Sequence, residues 1–260
     1  MSKPSTSGGK PAGDIAAGPG VQARPNSKDP VLEPLSETLL GARAYRALWT
    51  GIVSGRIESG VQLRPDAIAE QLDISTTPVR EALHRMEADG LIVKLPYRGW
   101  FVREFTEPEV RQLYEMRAAL ESFSVKLACA RITAEELARL REHQSVGEAA
   151  LKSGDMEAYR VYNRDLHATI VDAAGNAYLS SAMGQLSLQG QVLVARTIRL
   201  AGRPSRAIEE HRELIDLIAR RKDKAAQVLM ERHILSALED IVRFAIPKVA
   251  SGADDARIAT

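Results

Sequence analysis

The sequence predicts a mainly α-helical protein in which a small head with a β-hairpin precedes a larger helical part. Hydrophobic residues make up 45% of the chain but aromatic residues only 5%, and this Ala/Leu-rich composition favours helices. Apolar residues recur at helical spacing from about residue 107 to 248, and the β-rich runs lie together between residues 91 and 102. The 260 residues leave room for two domains. The expected boundaries are 37–104 for the head and 105–250 for the helical part.

Both ends of the chain are expected to be tails. Residues 1–36 are rich in Pro, Gly, Ser and Ala without periodicity, which predicts a disordered segment, and residues 251–260 predict a shorter one. The sequence contains neither an 18-residue apolar run nor a signal peptide. Cys129 is the only cysteine, so no disulfide can form within the chain. We therefore expect a cytoplasmic protein that does not enter a membrane.

The first two elements of the head are predicted helices. The first is amphipathic and ends near Gly55, with apolar positions at Leu39, Ala42, Tyr45, Leu48 and Ile52. Pro65 then opens a short second helix, since proline is well tolerated in a first helical turn. The turn at residues 73–75 joins this helix to a third, as in a helix-turn-helix.

The third helix has two different faces. Ser75 and Thr76 can cap it, Pro78 lies in its first turn, and Gly90 ends it. Its apolar back consists of Val79, Ala82, Leu83 and Met86, and its outward front of Thr76, Thr77, Arg80 and His84. A short helix with such a front suits the DNA major groove, where arginine contacts guanine bidentately. The alternative interpretation is that Arg80 and His84 are solvated surface residues.

A predicted hairpin follows the third helix. Its runs at residues 91–93 and 100–102 flank a turn from Pro96 to Gly99. Three helices and a hairpin make a winged helix-turn-helix. Residues 37–104 contain 9 Lys/Arg and 9 Asp/Glu, so DNA affinity is expected from a local basic face rather than from net charge. This face consists of Arg43, Arg46, Arg64, Arg80, Lys94 and Arg98.

The head resembles the winged helix-turn-helix domain of the GntR family of bacterial transcription regulators. The segments 69–72, 75–83, 89–92 and 98–99 carry the resemblance. It implies a double-stranded operator as partner, base reading by Arg80, and an approach of Gly99 to the minor groove. Further expected DNA contacts are Arg46, Arg64, Ser75, Thr76, Thr77, His84 and Arg98. Because many members carry arginine where this chain has Thr76, their operator sequence does not transfer.

The remainder of the chain predicts six helices. They cover about residues 110–127, 133–151, 156–173, 177–200, 207–221 and 223–244, and their short connections predict an antiparallel bundle. Thr133 starts the second of these helices with a capping box. The predicted core face of the first consists of Val110, Leu113, Met116, Leu120, Phe123 and Leu127.

Three histidines lie on three different bundle helices. These are His167, His211 and His233, and Asn163 lies one turn before His167 on the same face. Convergent imidazoles and an amide oxygen would bind a divalent metal of the Zn, Ni or Mn class. The alternative for each histidine is an ordinary polar residue with its hydrogen bonds satisfied.

The segments around these histidines resemble the FCD effector domain of the FadR-like branch of the GntR family. The matching segments are 114–121, 163–167, 210–214 and 232–233. The resemblance implies a metal held by an acidic residue and three histidines. Asn163 occupies the acidic position and brings no negative charge, so we expect weaker metal binding or a more positive site.

The resemblance also implies an effector and a homodimer. The effector would be a small carboxylate that completes the metal's coordination and pairs with Arg117. The alternative for Arg117 is an ion pair with Glu121 at i+4. Two heads would read a two-fold symmetric operator, with residues 103–108 as the hinge. A metal-responsive regulator without an organic effector stays open. We do not expect a metal-dependent hydrolase, because no Asp or Glu is placed as a general base.

Overall fold

The computed structural model describes residues 37–197 and 202–244. The tails predicted at 1–36 and 251–260, and the last residues of the fourth bundle helix, lie outside the described residues. The head contains α1 (Glu37–Val53), β1 (Gln62–Leu63), α2 (Pro65–Leu72), α3 (Thr76–Ala88), β2 (Ile92–Leu95) and β3 (Gly99–Val102). The helical part contains α4 (Glu107–Arg131), α5 (Ala134–Ser153), α6 (Met156–Ala173), α7 (Ala177–Thr197), α8 (Arg203–Ala219) and α9 (Asp223–Phe244). The predicted mainly α class, with a winged helix-turn-helix before a helical domain, is confirmed.

The head is built on the packing of α1 against α3. The apolar back of α3 is buried as predicted, including Val79, Leu83 and Met86. The predicted face of α1 is wrong at two positions, because Leu39 and Ala42 are exposed. Ala44, Leu48 and Ile52 are spaced four residues apart and form the buried side of α1 instead.

The wing is a three-stranded antiparallel sheet rather than the predicted two-stranded hairpin. Its strand order is β1-β3-β2, and Gln62 pairs with Phe101 while Ile92 pairs with Val102. The strand that was not predicted, β1, has only two residues, which is too short to show an alternating pattern.

Local signals set the ends of α2 and α3. Asp73 adopts a left-handed conformation (φ 52°) after α2, and its N–H bonds the carbonyls of Ala69 and Glu70. Ser75 is the N-cap of α3, but its side chain makes no capping hydrogen bond. Gly90, with φ 72°, turns the chain away after α3, a conformation that glycine adopts without strain.

In the helical part, α4 packs against α9, α5 against α6, and α8 against both α5 and α9, while α7 covers α4 and α6. Thr133 and Glu136 form the predicted capping box of α5. The predicted core face of α4 is wrong at Met116 and Phe123, which are 52% and 43% exposed. The inward face instead carries two charged residues, Arg117 and Glu121.

The helices among the described residues include none that is both long and apolar enough to cross a membrane.

Cys129 is buried and unpaired, and burial raises the pKa of its thiol. Burial therefore keeps this cysteine protonated at neutral pH.

Candidate functional site

The three histidines predicted to bind a metal meet inside the helical part. His167 comes from α6, His211 from α8 and His233 from α9, and all three are buried. One ring nitrogen from each histidine lies within 4.8 Å of those of the other two. The sequence could give the helix of each histidine, but their convergence depends on the packing of three separate helices.

Each histidine uses its Nδ1 atom in a contact with a neighbouring polar side chain. Nδ1 of His167 lies 2.5 Å from the Glu121 carboxylate, and Nδ1 of His233 lies 2.6 Å from that of Glu210. Nδ1 of His211 lies 2.8 Å from the Tyr162 hydroxyl. A carboxylate only accepts hydrogen bonds, so His167 and His233 must donate from Nδ1.

The same protonation follows for His211 from its partner. Tyr162 donates its hydroxyl proton to Oε1 of Gln144, at 2.7 Å, and therefore accepts from Nδ1 of His211. Gln144 is oriented in turn by donating to the carbonyl of Ile208 at 3.0 Å. In neutral imidazoles protonated at Nδ1, the lone pairs are on Nε2.

The lone pairs of two histidines face each other at short range. Nε2 of His211 lies 3.2 Å from Nε2 of His233. Burial, followed by the nearby histidines, lowers the pKa of His211 well below its usual value. Burial, followed by His167, does the same for His233. Two imidazole nitrogens bound to one tetrahedral zinc at ~2.0–2.1 Å are about 3.4 Å apart, so the spacing fits a shared cation.

Arg117 and Glu121 form a buried ion pair beside His167. Nε of Arg117 lies 2.9 Å from Oε1 of Glu121, and both side chains are almost fully buried. Burial alone would raise the pKa of Glu121, but the charge of Arg117 and the contact with His167 lower it to about 2. The ion pair considered as the alternative role of Arg117 is therefore present. The same guanidinium also lines a cavity.

This cavity, of about 250 Å³, lies between α6 and α7. Its lining includes Arg117, Arg160, Asn163, Arg164 and His167. A smaller cavity of about 40 Å³ is lined by Arg117, Asn163 and His167 as well, and also by Arg203 and His233. Asn163 thus lies beside His167 in both cavities, as the one-turn spacing on α6 predicts.

Sequence reasoning missed the residues that orient the imidazoles. Tyr162 and Gln144 carried no signal, and Glu121 was considered only as a partner of Arg117. Glu210 is adjacent to His211 in the sequence, yet it bonds His233 on the next helix. One general rule could have pointed to such partners. Metal-binding histidines usually donate their second N–H to a carboxylate or another polar group.

All the predicted DNA-contacting residues except Arg46 lie on the front of α3 or around the wing. Thr77, Arg80 and His84 are exposed on α3, while Ser75 is exposed and Thr76 half-buried at its start. The ring of His84 meets Trp100 edge-on at 5.2 Å, which joins this front to β3.

Polar contacts connect β1 to the tip of the wing. Nε of Arg64 donates to Oε1 of Gln62 at 3.2 Å, and Nε2 of Gln62 donates to the Arg98 carbonyl at 2.6 Å. Gly99, with φ 90°, turns the tip of the wing. Arg46 is exposed on α1, outside this set of contacts.

A side-chain hydrogen bond connects the end of α3 to α7. Nε2 of Gln189 donates to the Asp89 carbonyl at 3.3 Å. A methyl group placed at Gly90 would lie 2.5 Å from the same Nε2 atom, so the approach is close. The next residue of α7, Gly190, lies against Arg117, since a methyl group there would be 2.9 Å from the guanidinium.

Comparison with known families and proteins agrees with these features. Residues 40–102 match the family described as bacterial regulatory proteins, gntR family, and residues 112–236 match the FCD domain. An "uncharacterized HTH-type transcriptional regulator in the TAR-I ttuE-ttuC' intergenic region" of Agrobacterium vitis is 33% identical over 134 residues, which cover 50% of this chain and 78% of that protein. The Nta operon transcriptional regulator of Aminobacter aminovorans is 29% identical and covers 76% and 93% of the two chains. The gluconate operon transcriptional repressor of Bacillus subtilis is 28% identical and covers 75% and 81%.

Solved structures share the fold. Escherichia coli McbR/YncC superposes with a TM-score of 0.70 at 23% identity, covering 81% of this chain and 99% of that chain. A putative GntR transcriptional regulator from Rhodococcus sp. RHA1 gives a TM-score of 0.67 at 21% identity, covering 78% and 97%.

Proposed function

This chain belongs to the GntR family of bacterial regulatory proteins and is a DNA-binding transcription regulator with an FCD domain, and from this premise we propose that a small carboxylate controls its affinity for its operator. The carboxylate binds in the cavity between α6 and α7, beside a divalent metal held by His167, His211 and His233. The convergence of the three histidines carries this proposal. The family and the relatives are transcription regulators rather than enzymes.

The histidine centre has the donor set of a site for a Zn, Ni or Mn class cation. Three neutral imidazoles leave coordination positions open, and Asn163 can offer an amide oxygen. Hydrogen bonds to Glu121, Glu210 and Tyr162 hold the rings in the orientation and protonation that metal binding requires. A bound metal would supply a positive charge next to the cavity, and an effector carboxylate could bind to it.

Arg117 would bind the same carboxylate. Arg117 lines the cavity, and its Nε donates to Glu121 at 2.9 Å. A guanidinium has five N–H donors, so the ion pair leaves donors for a ligand. Asn163 takes the place of an acidic residue, which makes the site more positive and favours an anionic effector.

The route from effector to DNA runs through α7. This helix lines the cavity with Gly190 and contacts the end of α3 with the adjacent Gln189. A ligand that shifts Arg117 against Gly190 would change the position of the recognition helix.

Residues 103–108, the expected hinge, provide a second connection. Arg103 bonds the Gly90 carbonyl at 3.4 Å and pairs with Glu109 at 2.7 Å. Linkage requires that the effector bind one arrangement of the heads more tightly than another.

DNA contact is assigned to the front of α3 and the wing. Arg80 would read a base edge in the major groove, Gly99 would approach the minor groove, and Arg46, Arg64 and Arg98 would contact the phosphate backbone. Because a single head has a small contact surface, the operator would be read by a homodimer with two-fold symmetry.

An operator-binding experiment tests the proposal. An operator selected from random-sequence DNA would be titrated with the full-length protein, with fluorescence anisotropy as the readout. The titration is repeated with chelator, with zinc, and with zinc plus each of a set of small carboxylic acids. We expect at least one acid to change the operator Kd about 5–150-fold in the zinc-loaded protein only.

Other outcomes would contradict the proposal. A change of Kd with zinc alone, and no further change with any acid, would identify a metal-responsive regulator without an organic effector. If none of these additions changes the operator Kd, the site does not control DNA binding. The protein would still be an operator-binding protein.

A further inference from the structure

The cavity between α6 and α7 carries more positive charge than one carboxylate requires. Arg117, Arg160 and Arg164 line it, and Asp172 is the acidic residue in the same lining. Arg117 lies at the histidine end. The other two arginines have no role in the site described above.

Arg160 and Arg164 lie on the same face of α6 as His167. The three residues are spaced four and three apart, so their side chains project to one side of the helix. Seven residues separate Arg160 from His167, which corresponds to about 10 Å along the helix axis. The cavity therefore has a second cationic end, about two helical turns from the histidines.

One nitrogen of these two arginines has no hydrogen-bond partner among the described residues. Arg160 is bound through Nε to the exposed carboxylate of Glu157 at 2.9 Å, but its NH1 atom is buried and makes no hydrogen bond. Arg164 contacts Asp165 through Nε at 2.6 Å. Two arginines one turn apart also repel each other, and an anion between them would relieve this repulsion.

We propose that the effector is an organic dianion whose second carboxylate binds Arg160 and Arg164, while the first lies at the histidine centre with Arg117. A cavity of about 250 Å³ suits such a molecule. At about 30 Å³ per water-sized group, it holds roughly eight non-hydrogen atoms or small groups. A flexible dicarboxylate of four to six carbons meets both the size and the two-ended charge. This inference rests on the proposed function for its first carboxylate, whereas the second carboxylate is assigned by Arg160 and Arg164 alone.

Matched acids test the inference. Isothermal titration calorimetry on the zinc-loaded full-length protein would compare succinate, glutarate and adipate with butyrate, pentanoate and hexanoate. We expect at least one dicarboxylate to bind about tenfold or more tightly than the monocarboxylate of equal length. Arg160→Gln should abolish this preference and leave monocarboxylate binding within about twofold. Arg141→Gln, which removes an exposed arginine on α5 outside the cavity lining, is the matched control and should change neither.

The outcomes separate this inference from the proposed function. The assignment of a second carboxylate to Arg160 and Arg164 would be wrong if both acid series bound with equal affinity. It would also be wrong if Arg160→Gln weakened the binding of both series equally. Either result would leave the metal–carboxylate site intact. Binding of zinc with no binding of either series would also overturn it. If zinc itself fails to bind, the metal part of the proposed function fails. A preference for dicarboxylates that depends on Arg160 would still support the inference in that case.

Discussion

For single residues, hydrogen bonds set the orientation and protonation of the three histidine rings. The partners in these bonds are side chains that are not themselves candidate metal ligands. Glu121 and Glu210 each accept from a histidine Nδ1, and Tyr162 accepts from the third. These partners leave the Nε2 lone pairs of the three rings available to one cation. The residues that fix the protonation of the site were not found from the sequence, because a contact between helices leaves no local pattern.

Glu121 should make the stability of the protein sensitive to acid. Its pKa is lowered to about 2 from the usual 4.5, so its ionised form stabilises the fold above about pH 4.5. This stabilisation, about 3 kcal/mol at most, is lost as the pH falls towards 2. In Glu121→Gln, Arg117 loses its buried partner, which should lower the free energy of unfolding by about 3–5 kcal/mol at pH 7.

Urea unfolding of both proteins at pH 7, 5 and 3 measures this effect. The difference in free energy of unfolding between wild type and Glu121→Gln should be largest at pH 7 and should shrink at pH 3. A difference that stays constant across this range would show that Glu121 is not held ionised by its neighbours.

Arg80 should carry sequence specificity. Arg80→Ala is expected to lose roughly 1–3 kcal/mol of operator binding and to relax the preference at one base pair. Anisotropy titrations with a panel of single-base operator variants measure both effects. Arg139→Ala, an exposed arginine on α5, is the control for loss of charge. An unchanged base preference would exclude Arg80 from base reading.

At the scale of elements, most helices could be predicted because each carries a local signal. The turn at 73–75, Pro65 and the capping box at Thr133 all act within a few residues of the position they mark. The faces of α1 and α4 were harder to predict. Leu39, Met116 and Phe123 fit a helical stripe, but the neighbouring helices pack against a different side. Strand β1 is too short for any pattern.

The α7 helix should couple the cavity to the DNA-binding head. Gln189→Ala removes the contact with the Asp89 carbonyl and no cavity-lining side chain. We expect effector binding to change less than about twofold, while the effect of the effector on operator Kd falls by ~0.5–2 kcal/mol, or about 2–30-fold. Calorimetry and anisotropy measure the two quantities on the same protein.

A neighbouring glutamine provides the control for this variant. Gln185→Ala changes an exposed residue of the same helix and should leave the coupling intact. If Gln189→Ala retains full coupling, the signal reaches the head by another route, such as Arg103.

For the whole molecule, the proposed homodimer would account for an exposed apolar surface on α4. Met116 and Phe123 are exposed on α4, and the half-buried Leu120 and Leu127 continue the same stripe at spacings of three and four residues. Water-exposed apolar stripes of this kind favour association. We therefore expect this part of α4 to lie in the dimer interface.

A charge in this stripe should separate the protomers. Met116→Glu with Phe123→Glu is expected to shift the protein towards monomer in analytical ultracentrifugation and to weaken operator binding at least tenfold. Val146→Glu introduces the same charge at an exposed apolar residue of α5 and should leave the protein dimeric. A dimer that persists in the double variant would place the interface elsewhere.

The proposed function requires that the histidine centre bind a metal to which an acid effector then binds. The most direct measurement is the melting temperature of the full-length protein, after chelator treatment and after zinc is restored, with and without the six acids named above. A ligand that binds only the folded state raises the melting temperature. We expect zinc alone to raise it, and at least one acid to raise it further only when zinc is present. Glu210→Gln should require about 10–100 times more zinc, whereas Glu209→Gln, on the adjacent exposed residue, should not. Acid shifts of equal size with and without zinc would show that the acid does not bind through the metal, and no shift with zinc would show that the histidine centre does not bind zinc.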